Sequence, residues 1–409
     1  MFVLYDDAVA RRFEPFATSR PLGEMRAGAP LVRERWAHVL ARDAGGFVSR
    51  DSLGDFAEFD APPFMREEIP RGAIVVNTRA LPHLGTAITP ATATWTLHGR
   101  VAAVRLHRSL PVGALADGSA SLESMADAAA PHEPIDGVWL DEVWDLVRHL
   151  NQLLVQDLPV LASSLRCRAL EDDSGTRSPA VIGSHPVWVE DGANAEPFSI
   201  FDTTLGPVLL RRGASVHAFT RVAGPCFVGR DSTVMADRVS GSSIGDVCRV
   251  HGELSAAILV GHSNKGHDGF VGHSVMGRWV NLGAGTVTSN LKNTYGTVAL
   301  WTPDGVRDTG LQFLGTLFGD HAKTGIGLRL TTGCVLGAGA NVMDAMPPKM
   351  VEAFSWGTAA PYQTYALDKF IEAATRVMSR RGVALDVPLE RMWRTIHAEH
   401  THAARHSPR

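Results

Sequence analysis

The sequence predicts a two-part protein: an α/β N-terminal half, then a parallel β-helix built from hexapeptide repeats, then terminal helices. Three observations favour this fold class. The chain has 409 residues, more than one ordinary domain holds. Strand-like and amphipathic helical segments alternate up to about residue 195. From about residue 205 glycine becomes frequent, and apolar residues recur at every sixth position.

Short apolar runs and amphipathic segments characterise the N-terminal half. Phe2–Tyr5 and Ala73–Val76 are apolar and contain β-branched residues, which predicts buried strands. Leu31–Leu40 and Asp141–Leu158 place apolar residues three or four apart, which predicts helices with one buried face. The polar segment Asp191–Pro197 follows, so we expect the first domain to cover residues 1–195.

The C-terminal half carries the repeat. Its apolar positions form four runs at a spacing of six: Leu210, Val216, Val222, Val228, Val234; Ile244, Val250; Phe270, Met276, Leu282; and Phe318, Thr324, Leu330, Leu336, Val342. This period is typical of a hexapeptide β-helix, whose triangular coils point one side chain inward per face. We expect this domain at residues 205–345. Where the period fails, between Val250 and Phe270 and between Leu282 and Phe318, we expect loops to leave the coil.

The chain ends in a predicted helical extension that covers residues 346–409. Tyr362–Arg380 and Pro388–His400 each place apolar residues on one stripe, which predicts two helices. We expect them to cap the open end of the coil or to pack on a neighbouring subunit.

Composition and charge exclude several classes of protein. A formal charge of -4 provides no basic field, so neither nucleic acid nor an anionic membrane is an expected partner. The scattered cysteines contain no CxxC pair, as in a cytosolic protein with reduced thiols. The N-terminus lacks the basic and apolar regions of a signal peptide, and no apolar run reaches the roughly 20 residues that cross a bilayer. We therefore expect a cytoplasmic protein without a membrane span.

The segment Gly261–Lys292 contains the densest group of polar and titratable side chains that could act in catalysis or binding. Its polar side chains stand among glycines in a coil that is otherwise built for aliphatic stacking: Asn264, Lys265, His267, Asp268, Asn281, Asn290 and Lys292. Histidines at 262, 267 and 273 raise the alternative of a metal site. No spacing here matches a zinc motif, and alternate strand faces would point the histidines apart, so the metal stays unknown.

The same segment resembles a known family. His267, Phe270 three residues later and the run Val280–Asn290 (VNLGAGTVTSN) resemble the acetyltransferase domain of the bifunctional N-acetylglucosamine-1-phosphate uridyltransferase/glucosamine-1-phosphate acetyltransferase family. Ser263–Phe270 and Gly319–Gly327 resemble a divergent branch of sugar nucleotidyltransferase-like proteins, and this resemblance covers nearly the whole chain. It implies a left-handed β-helix, a homotrimer, acetyl-CoA as acyl donor, and a sugar phosphate or sugar nucleotide as acceptor.

The resemblance also implies roles for individual residues. His267 would be the catalytic base that takes a proton from the acceptor amine. Asn281 would orient the attacking group, and a backbone N–H of Gly283–Gly285 would stabilise the oxyanion. The expected substrate-binding residues are Asn264, Lys265, Asp268, Phe270, Asn290 and Lys292, and the expected coenzyme A contacts are Gly283, Ala284, Lys323 and Thr324.

The sequence departs from the family at two points in this domain. The family has tyrosine where this chain has Phe270. Its basic residues for the sugar phosphate are not clearly reproduced, and Glu253 and Ser255 lie where one of them is expected. The basic residues that could compensate are Arg221, Arg230, Arg249, Lys265 and Lys292.

The N-terminal half matches sugar-1-phosphate nucleotidyltransferases only in part. Those enzymes follow their first strand with a glycine-rich phosphate loop, whereas here Phe2–Tyr5 is followed by Asp6 and Asp7. Thr18–Pro30 resembles the second part of the loop, with Arg20 at the place of its arginine and Arg26 at the place of its lysine.

Asn77 and Arg79 are a second candidate pair for nucleotide binding, the alternative being a strand-end turn. Nucleotidyl transfer would imply Mg²⁺ in this domain. The candidate ligands are Asp6, Asp7 and Asp157, and no motif selects among them.

The resemblance thus implies a transferase that moves an acetyl group from acetyl-CoA to an amino-sugar phosphate or a nucleotide-linked amino sugar. Sugar-1-phosphate nucleotidyl transfer is the further activity it implies for the N-terminal half. Two alternatives for that half are a nucleotide-binding relic and a substrate-recruiting module. Two alternatives for the whole chain are a non-catalytic hexapeptide scaffold and a zinc-dependent γ-carbonic-anhydrase-like protein.

Overall fold

The computed structural model describes residues 1–127, 129–170 and 178–406. Contacts divide the chain into an N-terminal unit, Met1–Asp145 with Leu385–Arg409, and a solenoid unit, Leu146–Ala384. The helices are α1 (Val32–Leu40), α2 (Asp145–Arg148), α3 (Leu150–Ser164), α4 (Leu367–Ser379) and α5 (Val387–His406). The contacts therefore separate the units at Asp145 rather than at residue 195, because α3 packs with the solenoid strands.

A mixed sheet forms the centre of the N-terminal unit. In spatial order its strands are Ala44–Val48, Phe2–Tyr5, Ile74–Asn77, Arg100–Arg105, Thr94–Leu97 and His132–Pro134. Phe2–Tyr5 runs parallel to both of its neighbours, and Tyr5 lies in register with Asn77. The side chains of this central strand are buried on both faces, which confirms the predicted strand at Phe2–Tyr5. The parallel register brings the residues after Tyr5 and after Asn77 to one edge of the sheet.

Shorter elements complete the N-terminal unit. Two small antiparallel pairs join Ala80–Pro82 to Gly137–Trp139 and Glu68–Ile69 to Leu110–Pro111. Single 3-10 turns occur at Ala10–Arg12, Leu22–Glu24, Asp51–Leu53, Val112–Leu115 and Leu122–Met125. Helix α1 buries Val32, Trp36 and Val39, as its apolar spacing predicts.

The solenoid unit stacks parallel strands on three faces, as a left-handed β-helix does, with an antiparallel strand added at Arg168–Ala169 and another at Gln363–Thr364. The first face contains Arg168–Ala169, Val187–Val189, Val208–Leu210, Cys226–Val228, Ser243–Asp246, Ile258–Gly261, Val275–Arg278, Leu317–Phe318, Val335–Leu336 and Met350–Val351. The second contains Ala180–Ile182, Ile200–Asp202, Thr220–Ala223, Asp237–Ser240, Glu253–Ser255 and Phe270–Gly272, followed by the pair Val287–Thr288 and Arg329–Leu330. The third contains Asn194–Ala195, Ser215–Val216, Thr233–Met235, Arg249–His251, Asn264–Lys265, Lys323–Thr324, Asn341–Val342, Ser355–Gly357 and Gln363–Thr364.

The hexapeptide pattern correctly identifies the inward column of the solenoid. The residues of its first two runs are buried in one continuous aliphatic core, as are Met276, Leu282 and the apolar members of the last run. One member of the pattern is wrong, because Val271 points inward and Phe270 is only half-buried. The strands also begin earlier than residue 205, since Ala180–Ile182 already pairs in parallel with Ile200–Asp202.

The two breaks in the period have different structural causes. Between Val250 and Phe270 the coil continues, with Leu254, Leu259 and Lys265 as its inward residues, and only the first two of these spacings are shorter than six. Between Leu282 and Phe318 the chain does leave the coil, and Ala299–Thr302 pairs with Gly305–Asp308 in an antiparallel hairpin. The expectation of loops at both breaks is therefore confirmed only for the second.

The two C-terminal helices belong to different units. Helix α4 buries Phe370 against Phe354 and His321 of the last coils, with ring centroids 5.2 and 5.7 Å away. Helix α5 instead contacts the 3-10 turn Asp51–Leu53 of the N-terminal unit. Of the two expected roles, capping of the coil therefore fits α4 and not α5, and packing on a neighbouring subunit stays a prediction. In the described part of the chain, no helix combines the length and apolarity that a membrane crossing needs.

Candidate functional sites

His267 lies on a corner of the solenoid between the third and the second face. In the preceding coil Gly252 alone joins Arg249–His251 to Glu253–Ser255, which makes that corner short. In the next coil Arg249 pairs with Asn264 and Glu253 pairs with Phe270, so the corner that carries His267 returns to the ordinary spacing of six and is two residues longer than the short one. His267 and Asp268 are exposed there. The sequence motif therefore coincides with an exposed corner loop of the solenoid.

Asn264, Asn281 and Lys323 lie in register on three successive coils of the third face. Asn264 Nδ2 donates to Asn281 Oδ1 at 2.8 Å. Lys323 Nζ donates to the carbonyl oxygen of His321 at 2.9 Å, and burial lowers the pKa of Lys323 to about 8. The structure thus brings together one predicted catalytic residue, one predicted substrate contact and one predicted coenzyme A contact.

Lys265 and Thr324 point into the coil rather than out of it. Lys265 is 1% exposed and Thr324 is 5% exposed. Lys265 Nζ donates to the carbonyl oxygens of His251, His267 and Asp268. Thr324 Oγ1 accepts from Gly283 N at 3.1 Å. The expectation that these two side chains contact substrate or coenzyme A is therefore not matched by their placement.

The other residues of the GAGT segment form the next corner. Gly283 and Ala284 are half-buried, and the Gly283 N–H is bonded to the Thr324 carbonyl as well as to its hydroxyl. A Cβ on Gly283 would lie 2.2 Å from Gly325 O, so this position requires glycine. Because the Gly283 N–H is already bonded, it does not serve as the oxyanion donor that was expected in this segment.

Phe270, Asn290 and His273 cluster on the second face. A Cβ on Gly272 would lie 2.3 Å from the Phe270 ring and 2.7 Å from Asn290 Nδ2, so the absence of a side chain at Gly272 allows both to approach. Asn290 Nδ2 lies 2.9 Å from His273 Nδ1, and the His273 ring stacks on Phe313 with centroids 5.2 Å apart. Burial lowers the pKa of His273, which favours its neutral form.

A cavity of about 590 Å³ opens beside this cluster, between α3 and the edge of the second face. Its lining includes Asn151 and Gln152 of α3, with Arg238, Ser240, Ser255 and His273 of the solenoid. Arg238 is exposed, and no ion pair or hydrogen bond to its guanidinium is seen within the described residues. The Asp202 carboxylate, which pairs with Arg221, and several apolar side chains also line the cavity. The cavity thus offers amides, hydroxyls, an imidazole and the Arg238 guanidinium, which suits a ligand with one anionic group.

Lys292 is half-buried at the start of the segment that leaves the coil. Its charge helps to keep the pKa of Asp308, on the hairpin, below the usual value, after the larger effects of the Gly310 and Thr297 hydrogen bonds. Lys292 therefore lies near the hairpin strand, and it does not line the cavity beside His273.

In the N-terminal unit, Asp7, Asn77 and Arg79 meet at the carboxyl edge of the parallel strands. Arg79 Nη2 and Asn77 Nδ2 lie 2.7 and 2.9 Å from Asp7 Oδ2. Asp7 Oδ1 also accepts from the backbone N–H groups of Val9 and Ala10. These residues border a cavity of about 270 Å³, which Arg100 and Trp139 also line. The predicted pair Asn77 and Arg79 is therefore brought together, with Asp7 between their donors.

Arg20 and Arg26 lie apart from that cavity. Arg20 is 1% exposed and its Nη2 donates to Glu58 at 2.9 Å, while Arg26 is 4% exposed and donates to the Ala29 carbonyl. Both guanidiniums therefore stabilise the fold of the segment that resembles the phosphate loop. Their expected role in binding nucleotide is not matched by this placement, because a phosphate contact needs an accessible side chain.

The residues considered as Mg²⁺ ligands do not fit the ion. Asp6 is buried, and its carboxylate accepts from Thr78, Ser49 and the Leu22 N–H. Burial raises the pKa of Asp6 despite these hydrogen bonds. Asp7 is bonded to Arg79, and Asp157 is fully buried in the solenoid unit. Within residues 1–127, 129–170 and 178–406, no group of three or more His, Cys, Asp or Glu residues could hold a metal.

The fold and these sites define a two-part protein, a nucleotidyltransferase-type domain joined to a β-helix. Residues 2–165 match the family model described as sugar nucleotidyl transferase. The match ends with helix α3, so it includes the whole mixed sheet. The N-terminal part of the chain therefore has a nucleotidyltransferase-type domain that is similar to this family.

Two curated relatives are named as bifunctional proteins, and one of them carries both activities in its name. The chain is 28% identical to the bifunctional protein GlmU of Nitrosospira multiformis over 174 residues, which are 40% of this chain and 33% of the relative. It is 31% identical to the bifunctional sugar-1-phosphate nucleotidylyltransferase/acetyltransferase of Sulfurisphaera tokodaii over 90 residues, 22% of each. The chain spans a third or less of the length of these relatives. The resemblance to the bifunctional family that the sequence motifs indicate is confirmed.

Sequence reasoning missed Arg238, His273 and Asp7 as members of the sites. Arg238 lies in register with Arg221, which the sequence analysis did consider. His273 stands outside the matching family motif, and only its contact with Asn290 connects it to the site. Asp7 was considered as a metal ligand, whereas the structure makes it the partner of Arg79.

Proposed function

We propose that the solenoid unit transfers an acetyl group from acetyl-CoA to the amine of an amino-sugar phosphate or a nucleotide-linked amino sugar. The observation that carries this proposal is the exposed His267 on the corner that follows Asn264, which is hydrogen-bonded to Asn281. The name of one relative, a bifunctional nucleotidylyltransferase/acetyltransferase, supports the same reaction class.

In this proposal His267 removes a proton from the attacking amine. The amine nitrogen forms a bond to the thioester carbonyl, the carbon–sulfur bond then breaks, and the proton passes to the departing thiolate. An imidazole is suited to this task because it is the side chain that proteins use most often as a general base. Asn281 orients the acceptor, and Asn264 fixes the Asn281 amide through the 2.8 Å hydrogen bond.

The phosphate of the acceptor is assigned to Arg238. Its guanidinium lines the cavity of about 590 Å³ that His273 also borders, and no counter-ion to it is seen in the described residues. A guanidinium binds phosphate through two parallel N–H donors, which gives both charge and orientation. Phe270 and Asn290 approach each other beside Gly272, and Asn290 contacts His273 of the cavity, so both are assigned to the sugar ring in the proposed complex.

Coenzyme A is assigned to the third face of the solenoid, where Lys323 continues the ladder of Asn264 and Asn281. Gly283 and Ala284 form the adjoining corner, where the absence of large side chains lets an extended ligand approach the backbone. Assembly as a homotrimer in the cytoplasm belongs to the same proposal, and sedimentation equilibrium of the purified chain tests the trimer.

A second activity, sugar-1-phosphate nucleotidyl transfer or nucleotide-sugar binding, is proposed for the N-terminal unit. The supporting observation is the cavity of about 270 Å³ at the carboxyl edge of parallel strands, where open α/β sheets bind their ligands. Asn77 and Arg79 border it, and Arg100 lies 4.0 Å above the Trp139 ring. Pyrophosphate release from nucleoside triphosphates and sugar phosphates, with and without Mg²⁺, tests transfer.

The decisive experiment incubates the purified chain with acetyl-CoA and a panel of amino-sugar phosphates and nucleotide-linked amino sugars. Release of free thiol that depends on one acceptor establishes acetyl transfer and identifies that acceptor. No release with any acceptor, from a chain that stays folded and assembled, would refute the proposal and favour the scaffold alternative. Metal analysis of the same preparation tests the zinc-dependent alternative, because bound zinc in stoichiometric amount would support it.

A further inference from the structure

Lys265 occupies a position that the solenoid otherwise gives to uncharged residues. The inward column of the third face runs through Val216, Val234, Val250, Lys265, Leu282, Thr324 and Val342, each in register with the next. All seven side chains are at most 5% exposed. Lys265 is the charged member of this column.

An ammonium group inside an aliphatic core is unfavourable unless its N–H donors are satisfied. An apolar side chain would fill the same space without that requirement, as Val250 and Leu282 do in the adjacent coils. The three N–H donors of Lys265 meet three acceptors, and all three are backbone carbonyls. Burial lowers the pKa of Lys265 to about 8, against the opposing charges of Asp268 and Asp237, which leaves the ammonium form dominant at neutral pH.

The identity of these acceptors indicates the role of Lys265. One carbonyl belongs to His251, on the strand of the preceding coil, and the other two belong to His267 and Asp268 on the exposed corner. A carbonyl held in place fixes the peptide plane that follows its residue. The two planes held from the inside are those on either side of Asp268, and the first of them also borders His267, whose side chain is exposed on the outside.

We propose that Lys265 is a positioning residue, which holds the corner loop Gly266–Gly269 from inside the coil and thereby aims His267 at the acceptor. The inference rests on the proposed acetyl transfer for its kinetic consequence, but not for its structural one. Lys265 touches no substrate in this arrangement, because its ammonium group is enclosed by the three carbonyls.

Gly252 supports the same assignment. A Cβ on Gly252, whose φ is +84°, would lie 2.8 Å from Lys265 Nζ and 2.6 Å from Gly269 O. Glycine at this corner therefore leaves the space that the ammonium group and the loop both use. Gly252→Ala is predicted to displace the loop while Lys265 is retained, which gives an independent way to disturb the same contact.

The test compares the full-length wild type, Lys265→Met and Gly252→Ala. Methionine keeps the length and fills the column, but it cannot bond the carbonyls. We expect faster hydrogen exchange of the amides in residues 266–270 in both variants. We also expect the kcat of acetyl transfer to fall about 10–100-fold, since a small misplacement of a catalytic group has that effect. The KM for acetyl-CoA should stay within about twofold, because the interaction that is lost does not contact substrate.

Leu259→Met is the matched control, because Leu259 is a fully buried inward residue of the first face. It should leave both loop exchange and kcat unchanged. Folded Lys265→Met with wild-type loop exchange and wild-type kcat would overturn the proposal, and if that variant does not fold, Gly252→Ala decides in the same way. A wild type without acetyl transfer would refute the proposed function alone, since loop exchange still tests whether Lys265 holds the loop.

Discussion

The guanidinium of Arg79 lies against the carboxylate of Asp7, with Nε 2.9 Å from Oδ1 and Nη2 2.7 Å from Oδ2. The same carboxylate accepts from the N–H groups of Val9 and Ala10, which follow the first strand. In a phosphate-binding loop, backbone N–H groups and a cation hold the anionic ligand. Here Asp7 already bonds such donors, so a phosphate that binds at this edge has to compete with an internal carboxylate.

The Asp7–Arg79 pair predicts a pH-dependent contribution to stability. Burial alone would raise the pKa of Asp7, but the hydrogen bonds and charge of Arg79 outweigh it and hold the pKa below its usual value. A lowered pKa stabilises the fold above the unfolded-state value of roughly 3.9, and that stabilisation is lost as the pH falls through the folded-state value. Asp7→Asn should therefore lower the free energy of unfolding by about 1.5–3 kcal/mol at pH 7.

Denaturant unfolding at pH 7 and at pH 3 measures this effect. The difference between wild type and Asp7→Asn should shrink at the lower pH. Asp55→Asn is the matched control, because Asp55 pairs with the largely exposed Arg66 and Arg391, and such surface pairs contribute about 0–1 kcal/mol. Equal and pH-independent losses in the two variants would contradict a special role for the Asp7 pair.

His267→Ala is predicted to abolish most acetyl transfer without loss of stability. General base catalysis contributes about 10²–10⁴-fold in rate, so kcat should fall by that factor. The ring is exposed, and its removal leaves no buried group without a partner. Thiol release and thermal unfolding of the variant measure the two effects.

His185→Ala serves as the control for that substitution, because His185 is an exposed histidine of the same unit at a distant corner. It should retain wild-type kcat. Retention of full acetyl transfer by His267→Ala would exclude His267 as the base and shift attention to His273.

Asn264 and Asn281 are predicted to act as a coupled pair. If Asn264 orients the Asn281 amide through their 2.8 Å hydrogen bond, removal of either side chain disturbs the same contact with the acceptor. The effects of Asn264→Ala and Asn281→Ala on kcat/KM should then be non-additive by about 0.5–1.5 kcal/mol in a double-mutant cycle. Additive effects would show that the two amides contribute independently.

Arg238→Ala is predicted to weaken acceptor binding selectively. Loss of a charge-assisted contact with phosphate weakens the free energy of acceptor binding by about 1.5–3 kcal/mol, which raises the KM for the acceptor roughly tenfold or more. The KM for acetyl-CoA should not change. Initial-rate kinetics with each substrate varied in turn separate the two constants.

The control for this prediction is Arg329→Ala, since Arg329 is an exposed arginine on a later coil and does not line the cavity. Similar changes in both variants would indicate a general effect of net charge. An unchanged acceptor KM in Arg238→Ala would place the phosphate elsewhere, and Arg221 and Lys292 would then be tested.

Much of the fold follows from local pattern. A spacing of six identified nearly all the inward aliphatic residues, because one side chain per face must point inward in every coil. The pattern failed where coil length varies. Corners that differ in length by one or two residues shift the phase of the six-residue spacing. Val271 therefore occupies the core position that the pattern gave to Phe270, and the pattern did not identify Lys265 as a core residue.

Of the candidate site, the sequence could predict the residues of the motif but not the contacts that they make. The run around His267 and Asn281 indicated the chemistry, but the contacts that join Asn281 to Asn264 and His273 to Asn290 link residues 17 positions apart. Such contacts depend on the register between coils. Arg20 and Arg26 show the reverse error, since matching the phosphate-loop pattern did not reveal that both side chains are buried.

The sequence by itself determined the division into an α/β half and a hexapeptide β-helix, the first strand, and the polar segment that carries His267, because these follow from short-range periodicity and residue type. The tertiary structure alone decided that Lys265 holds the loop from inside, that Asp7 neutralises Arg79, and that α5 joins the N-terminal unit. The physical reason is that burial and hydrogen-bond pairing are set by which distant segments pack together, and that choice minimises the free energy of the whole chain rather than of any one segment.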